Sequence, residues 1–152
     1  FWPYCTSRDC TPARFMADMA IPLGMLKNTV GTMRCHPIRV GNTADGFSGP
    51  CYPDQKELTW EELGVEPETT TVTGRIRRVF SFSYRQAREA ILACQPTHIF
   101  LNFCNYDEQL ADLIEDRVDH IASLNLHQPP QVTWKGHGAT VLDVEETYDV
   151  DF

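Results

Sequence analysis

The chain has 152 residues, 42% of them hydrophobic and 22% charged, which suits one ordinary globular domain with a core of its own. A net charge of −8 leaves no broad basic face for nonspecific nucleic-acid binding. No apolar run reaches the roughly 20 residues of a bilayer-spanning helix, so neither nucleic acid nor membrane is expected as a partner.

The six cysteines (Cys5, Cys10, Cys35, Cys51, Cys94 and Cys104) lack paired spacing and read as reduced intracellular thiols. No two-residue ligand spacing joins Cys5, Cys10, Cys35 and His36, so no metal centre is assigned. Phe1 stands where a methionine would open a chain, and "FWPYCTS" reads like the middle of a fold; a segment of a longer protein or a processed product is expected.

In chain order, the first dozen residues are polar and turn-rich. Apolar positions Leu23, Leu26, Val30 and Met33 recur at helical spacing behind Pro22, which predicts a helix there. "HPIRVGN" predicts a short strand ending at Gly41, and the Gly-, Pro- and Ser-rich stretch from Asn42 to Asp54 predicts a loop. "LTWEELGV" holds Thr59 and Glu62 in capping-box register, with Gly64 as the stop. "SYRQAREAILAC" predicts an amphipathic helix, "THIFLNF" a buried strand, and "DEQLADLIEDRVDHIASL" a second helix with Leu110, Leu113, Ile114, Val118 and Ile121 on one stripe. A strand and a glycine-flanked turn follow in "QVTWKGHGAT". Strands alternating with helices predict an α/β layer architecture.

The unusual stretch is "TTTVTGRIRR", Thr69 to Arg78, three arginines within four residues of an acidic chain. In an extended segment Arg75 and Arg77 would project to one side, and two guanidiniums together suit a ligand with two anionic groups. Gly74 permits close backbone approach, and Thr69, Thr70, Thr71 and Thr73 bring hydroxyls. Taken alone, these residues favour the plainer reading of a solvated basic turn. Asn102 and Asn105 end the strand "THIFLNF", where ligands sit in open α/β sheets, and an amide's donor and acceptor match an adenine edge. His137, between two glycines, suits the wall of a nucleotide pocket or merely a solvated turn, and Thr6, Ser7 and Thr11 offer hydroxyls to a phosphate.

The order of these motifs is more specific than any one of them. "TSRDCT", a helix, "IRVGN", a long loop, "TTTVTGRIRR", a helix, "IFLNFCN" and a final "GHGAT" resemble the C-terminal half of the adenylosuccinate synthetase family over nearly the whole chain. The family pattern runs Thr-Ser-Ser-Asn-Thr-Thr, Thr-Arg-Val-Gly, Thr-Thr-Gly-Arg-x-Arg-Arg, a strand ending Thr-Lys-Leu-Asp, and a Ser-Thr-Gly-Pro turn. The resemblance implies a central, mostly parallel sheet and a homodimeric cytoplasmic ligase. With Mg2+, such an enzyme phosphorylates the 6-oxygen of a purine nucleoside monophosphate from a nucleoside triphosphate; L-aspartate then displaces the phosphate. It implies an aspartate loop of Val72, Thr73, Arg75 and Arg77. It also implies a monophosphate site at Thr6, Arg75 and the backbone near Val40, and a triphosphate site at Arg77, Asn102, Asn105, Gly136 and His137.

Two departures stand out. Phe103, Cys104 and Asn105 replace Lys-Leu-Asp, exchanging the carboxylate that selects guanine for an amide matched to adenine, so ATP or dATP is expected as phosphoryl donor. A bacteriophage branch, the 2-aminoadenylosuccinate synthetases acting on dGMP, is similar in this respect. Val72 replaces a threonine and removes one hydroxyl from the aspartate loop. The family's phosphate loop, catalytic aspartate and catalytic histidine belong to an N-terminal half, so this segment alone is expected to be inactive. The alternatives are an IMP-using adenylosuccinate synthetase and a non-catalytic nucleotide- or dicarboxylate-binding module.

Overall fold

The computed structural model describes residues 10–44, 46–125 and 129–148. Helix α1 (Pro12–Asp18) opens them, and the Thr11 hydroxyl accepts the Arg14 amide as its N-cap. Thr11 is thereby engaged within the fold. Leu23–Met25 form one 3-10 turn, and Val30–Arg34 are strand β1. The helix predicted from Leu23 to Met33 is therefore not formed. Asn28, Thr29, Gly31 and Thr32 are weak helix formers, and β1 gains a continuous parallel ladder against His98–Asn102.

Strands β2 (Ile38–Arg39) and β3 (Glu57–Leu58) come next, separated by the expected loop. Helix α2 (Trp60–Leu63) carries the reciprocal Thr59–Glu62 capping box and stops at Gly64. Strand β4 (Arg78–Phe80) leads through Ser83, an N-cap, into helix α3 (Tyr84–Cys94). Strand β5 (His98–Asn102), a 3-10 turn at Cys104–Tyr106, helix α4 (Glu108–Asn125), and strands β6 (Gln131–Gly136) and β7 (Val144–Glu146) complete the order.

Four strands form the main sheet in the order β1-β5-β6-β7, with β1, β5 and β6 parallel and β7 antiparallel. A small antiparallel sheet, β2-β4-β3, lies in the crossover between β1 and β5. The mixed α/β architecture with a mostly parallel sheet is as expected; the second sheet is an addition that two-residue strands did not announce.

Helices α3 and α4 bury Ala87, Ile91, Ala111, Ile114 and Val118 against Ile99, Leu101 and Val132 of the sheet. Leu113, expected on that stripe, is 60% exposed, and Ala111 faces the core instead. Lys135 ties β6 to α4 through Asp112 at 2.8 Å and Glu115 at 2.5 Å. The Cys35 and Cys104 sulfurs lie 3.9 Å apart in the core, and no disulfide forms among the described residues. Among those residues no helix is long and apolar enough to cross a membrane.

The stripe can be checked directly. Ile114→Ala should lower unfolding free energy by about 2–5 kcal/mol in denaturant titration, and Leu113→Ala should stay within about 0.5 kcal/mol of the parent.

Candidate functional site

Residues 68–77 fold back on themselves. Thr69 and Ile76 make an antiparallel bridge; the Arg77 amide donates to the Glu68 carbonyl (2.8 Å) and the Thr70 amide to the Arg75 carbonyl (2.9 Å). Gly74 turns the hairpin at φ +62°, a conformation that strains residues with a side chain. The threonine hydroxyls are partly spent inside it: Thr70 and Thr73 oxygens lie 2.5 Å apart, and Thr70 accepts the Arg75 amide. Val72 sits at the tip, 95% exposed.

The hairpin does not present its arginines alike. Arg75 is exposed and lines a cavity of about 350 Å³ shared with Thr70 and Thr73, and with Val40, Gly41 and Ser48 of the facing loop. Among the described residues it has no ion-pair partner. Arg77 is half-buried, and its Nε donates to the Thr69 carbonyl at 3.3 Å. Gly41 allows the two walls to meet, because a Cβ there would lie 2.6 Å from the Ile76 carbonyl oxygen.

Arg78, the third of the cluster, belongs to the framework. Its side chain is 9% exposed, and the guanidinium pairs with Glu57 (2.7 and 2.6 Å) and donates to Ser48 Oγ (2.8 Å) and the Gly49 carbonyl (3.0 Å). It pins the long loop that forms the cavity wall.

The nucleotide-side candidates gather at the carboxyl ends of β5 and β6. Asn102 ends β5 with its Oδ1 against the Gly136 α-carbon, where a Cβ would lie 2.5 Å away. Asn105 is exposed on the 3-10 turn, and Cys104 is held beneath it by the Leu101 carbonyl and the Gly136 amide. His137 follows, half-buried, with Nε2 3.2 Å from Glu145. Thr6 lies outside the described residues, as do Ser7 and Arg8.

No family model matches the chain. It is 53% identical over 152 residues to the N6-succino-2-amino-2'-deoxyadenylate synthase of Vibrio phage phiVC8, covering 99% of this chain and 43% of that protein. It is 34% identical over 116 residues to the adenylosuccinate synthetase of Methanocaldococcus jannaschii, 75% of this chain and 31% of that one. Among solved structures it superposes with a TM-score of 0.82 and 41% identity on the succinoaminodeoxyadenylate synthetase of cyanophage S-2L bound to dGMP and dATP as an energy donor; the match covers 97% of this chain and 41% of that one.

The chain is a relative of the phage N6-succino-2-amino-2'-deoxyadenylate synthases. Its resemblance to the adenylosuccinate synthetase family holds, and it spans about two fifths of the length of these phage relatives.

Against that family, the structure adds residues that the motifs did not single out. Arg34, last in β1, lies beside Asn102, last in β5. Its guanidinium grips the Glu68 carboxylate through both terminal nitrogens, and its central carbon lies over the Phe103 ring, 3.4 Å from the ring centre. The Tyr106 hydroxyl donates to the same carboxylate at 3.0 Å. Burial first, then the Glu68 charge, push that hydroxyl above its ordinary range, so it stays protonated and donating. The signal that pointed to a helix hid Arg34; the β-branched run "TVGT" was the cue to a strand.

The wall-pinning pair carries a pH signature. The hydrogen bond from Arg78, foremost, lowers the Glu57 carboxyl below its ordinary 4.5. A folded-state pKa below the unfolded one contributes stability above the unfolded value and loses it as pH falls through the folded value. Thermal unfolding of the parent and Glu57→Gln should therefore differ fully above pH 4.5 and converge in more acid solution.

Proposed function

We propose that this chain is the C-terminal segment of an ATP- or dATP-dependent ligase that joins L-aspartate to carbon 6 of dGMP, yielding 2-amino-2'-deoxyadenylosuccinate. The observation that carries the proposal is the cavity in which Arg75, free of any carboxylate among the described residues, faces Val40 and Gly41 beside Thr73. An exposed guanidinium with no internal anion is available to a carboxylate, and one that shares its cavity with a second loop can also touch a ribose. The likeness to phage synthases, and to one bound to dGMP and dATP, supports this acceptor and donor.

In the reaction, the triphosphate gives its terminal phosphoryl group to the purine 6-oxygen. The aspartate amine then attacks carbon 6 and inorganic phosphate leaves, with the amine proton going to solvent or a base elsewhere in the protein. This segment's part is binding and orientation. Arg75 holds an aspartate carboxylate and the acceptor's ribose; Thr73 borders the same space. Arg77 serves the triphosphate side and braces the hairpin. Asn105 reads the donor base, with Asn102, Gly136 and His137 around it, and Thr6 holds the acceptor's phosphate. Magnesium is expected with the triphosphate. The described residues bring together no group of three His, Cys, Asp or Glu side chains to hold it. A homodimer in the cytoplasm of an infected host belongs to the same proposal.

Incubation of the full-length protein with ATP, aspartate and an equimolar mixture of dGMP and IMP should yield the dGMP product by mass spectrometry; equal turnover of IMP would move the assignment to adenylosuccinate synthesis. Aspartate or ATP bound without any turnover would favour a binding module. In that protein Arg75→Ala should cost about 2–5 kcal/mol in kcat/KM for aspartate and far less for ATP. Asn105→Asp should shift donor preference from ATP toward GTP in competition assays, because a carboxylate accepts the paired N–H donors of guanine.

A further inference from the structure

The two halves of the candidate site are joined by one cluster. On one side stands the arginine hairpin, closed by the Glu68 carbonyl, which accepts the Arg77 amide at 2.8 Å. On the other stands the turn that presents Asn105, flanked by Phe103 and Tyr106, whose rings meet edge to face at 5.3 Å. Arg34 touches both. Its two terminal nitrogens hold the Glu68 carboxylate, its central carbon lies over Phe103, and Tyr106 closes the ring of contacts on Glu68.

We infer that Arg34 is a positioning residue that couples the aspartate hairpin to the nucleotide-base turn, so that filling the base site sets the place of Arg75. The inference rests on the ligase reading above.

Two features favour coupling over a passive brace. Glu68 acts through two groups at once: its side chain is fixed by Arg34 and Tyr106, and its main chain is part of the hairpin. A displacement of the carboxylate therefore moves the strand that carries Arg75 and Arg77. Phe103 stands in the left-handed region at φ +61°, a position that a non-glycine residue keeps only when its surroundings hold it. Arg34 supplies part of that hold.

Both side chains are about one-fifth exposed, 18% for Arg34 and 22% for Glu68, so the pair is shielded from salt more than a surface bridge. Lysine in place of Arg34 would keep the charge and lose both the two-point grip and the guanidinium contact with Phe103.

The test uses the full-length protein and aspartate KM at low and at saturating ATP. In the unsubstituted protein, saturating ATP should lower aspartate KM by about tenfold, within the usual range for coupled sites. Arg34→Met should abolish that dependence, leaving aspartate KM near its low-ATP value while kcat at saturating substrates falls less. Arg34→Lys should retain only part of the dependence. If Arg34→Met does not fold, Glu68→Gln, which keeps the side-chain shape and removes the charge, should give the same loss. Hydrogen exchange at the Arg75 and Arg77 amides provides a second measurement: added dATP should slow it in the parent and not in the variant. Turnover with an ATP-independent aspartate KM, or a folded Arg34→Met that keeps the full dependence, would overturn the coupling alone. No turnover by the unsubstituted protein would overturn the ligase reading and this inference with it.

Discussion

Three parallel strands end along one edge, and most of the candidate site residues hang from it or from the crossovers that leave it. The carboxyl ends of β1, β5 and β6 bring Arg34, Asn102 and Gly136 side by side. Parallel pairing requires long crossovers, and here the crossovers do more than return the chain. The one between β1 and β5 carries the small sheet and the arginine hairpin; the one between β5 and β6 begins with the turn that bears Asn105. Aligning the strands therefore brings segments far apart in the chain to the same edge.

The three neighbouring arginines show how burial divides one charge cluster into different tasks. Arg78 points into the framework, where Glu57, Ser48 and Gly49 saturate its guanidinium. Arg77 is half-buried and bonded to the hairpin's own backbone. Arg75 faces open space with no internal carboxylate among the described residues, so its charge remains available. An acidic chain can hold such a cation because its carboxylates are engaged elsewhere near the site, Glu57 with Arg78 and Glu68 with Arg34. The electrostatics of the site are local and owe little to net charge.

The turn that bears Asn105 follows a related logic. Cys104 is fully buried, Phe103 is clamped under Arg34, and Asn105 between Cys104 and Tyr106 is exposed. Anchoring the residues on both sides of Asn105 holds the turn while leaving its side chain exposed.

Much of this was legible in the sequence wherever the signal is local. The Thr59–Glu62 box, α3 with its following Pro96, the strand "THIFLNF" and most of the α4 stripe depend on near neighbours along the chain, and they form as their residue patterns predict. The order of the motifs also carried the family resemblance. The stretch from Leu23 to Met33 went otherwise because helical spacing of apolar residues is only a local preference, whereas the β1–β5 ladder is formed with a partner nearly seventy residues away. For the same reason Leu113 and Ala111 exchange roles: the spacing permits either, and packing against the sheet selects one. The sequence by itself determined the element types wherever near neighbours set them, and the order of motifs that carries the family resemblance; only tertiary structure decided which arginine lacks an internal carboxylate among the described residues, which is framework, and that Arg34 joins the two loops, because each depends on contacts between segments far apart in the chain.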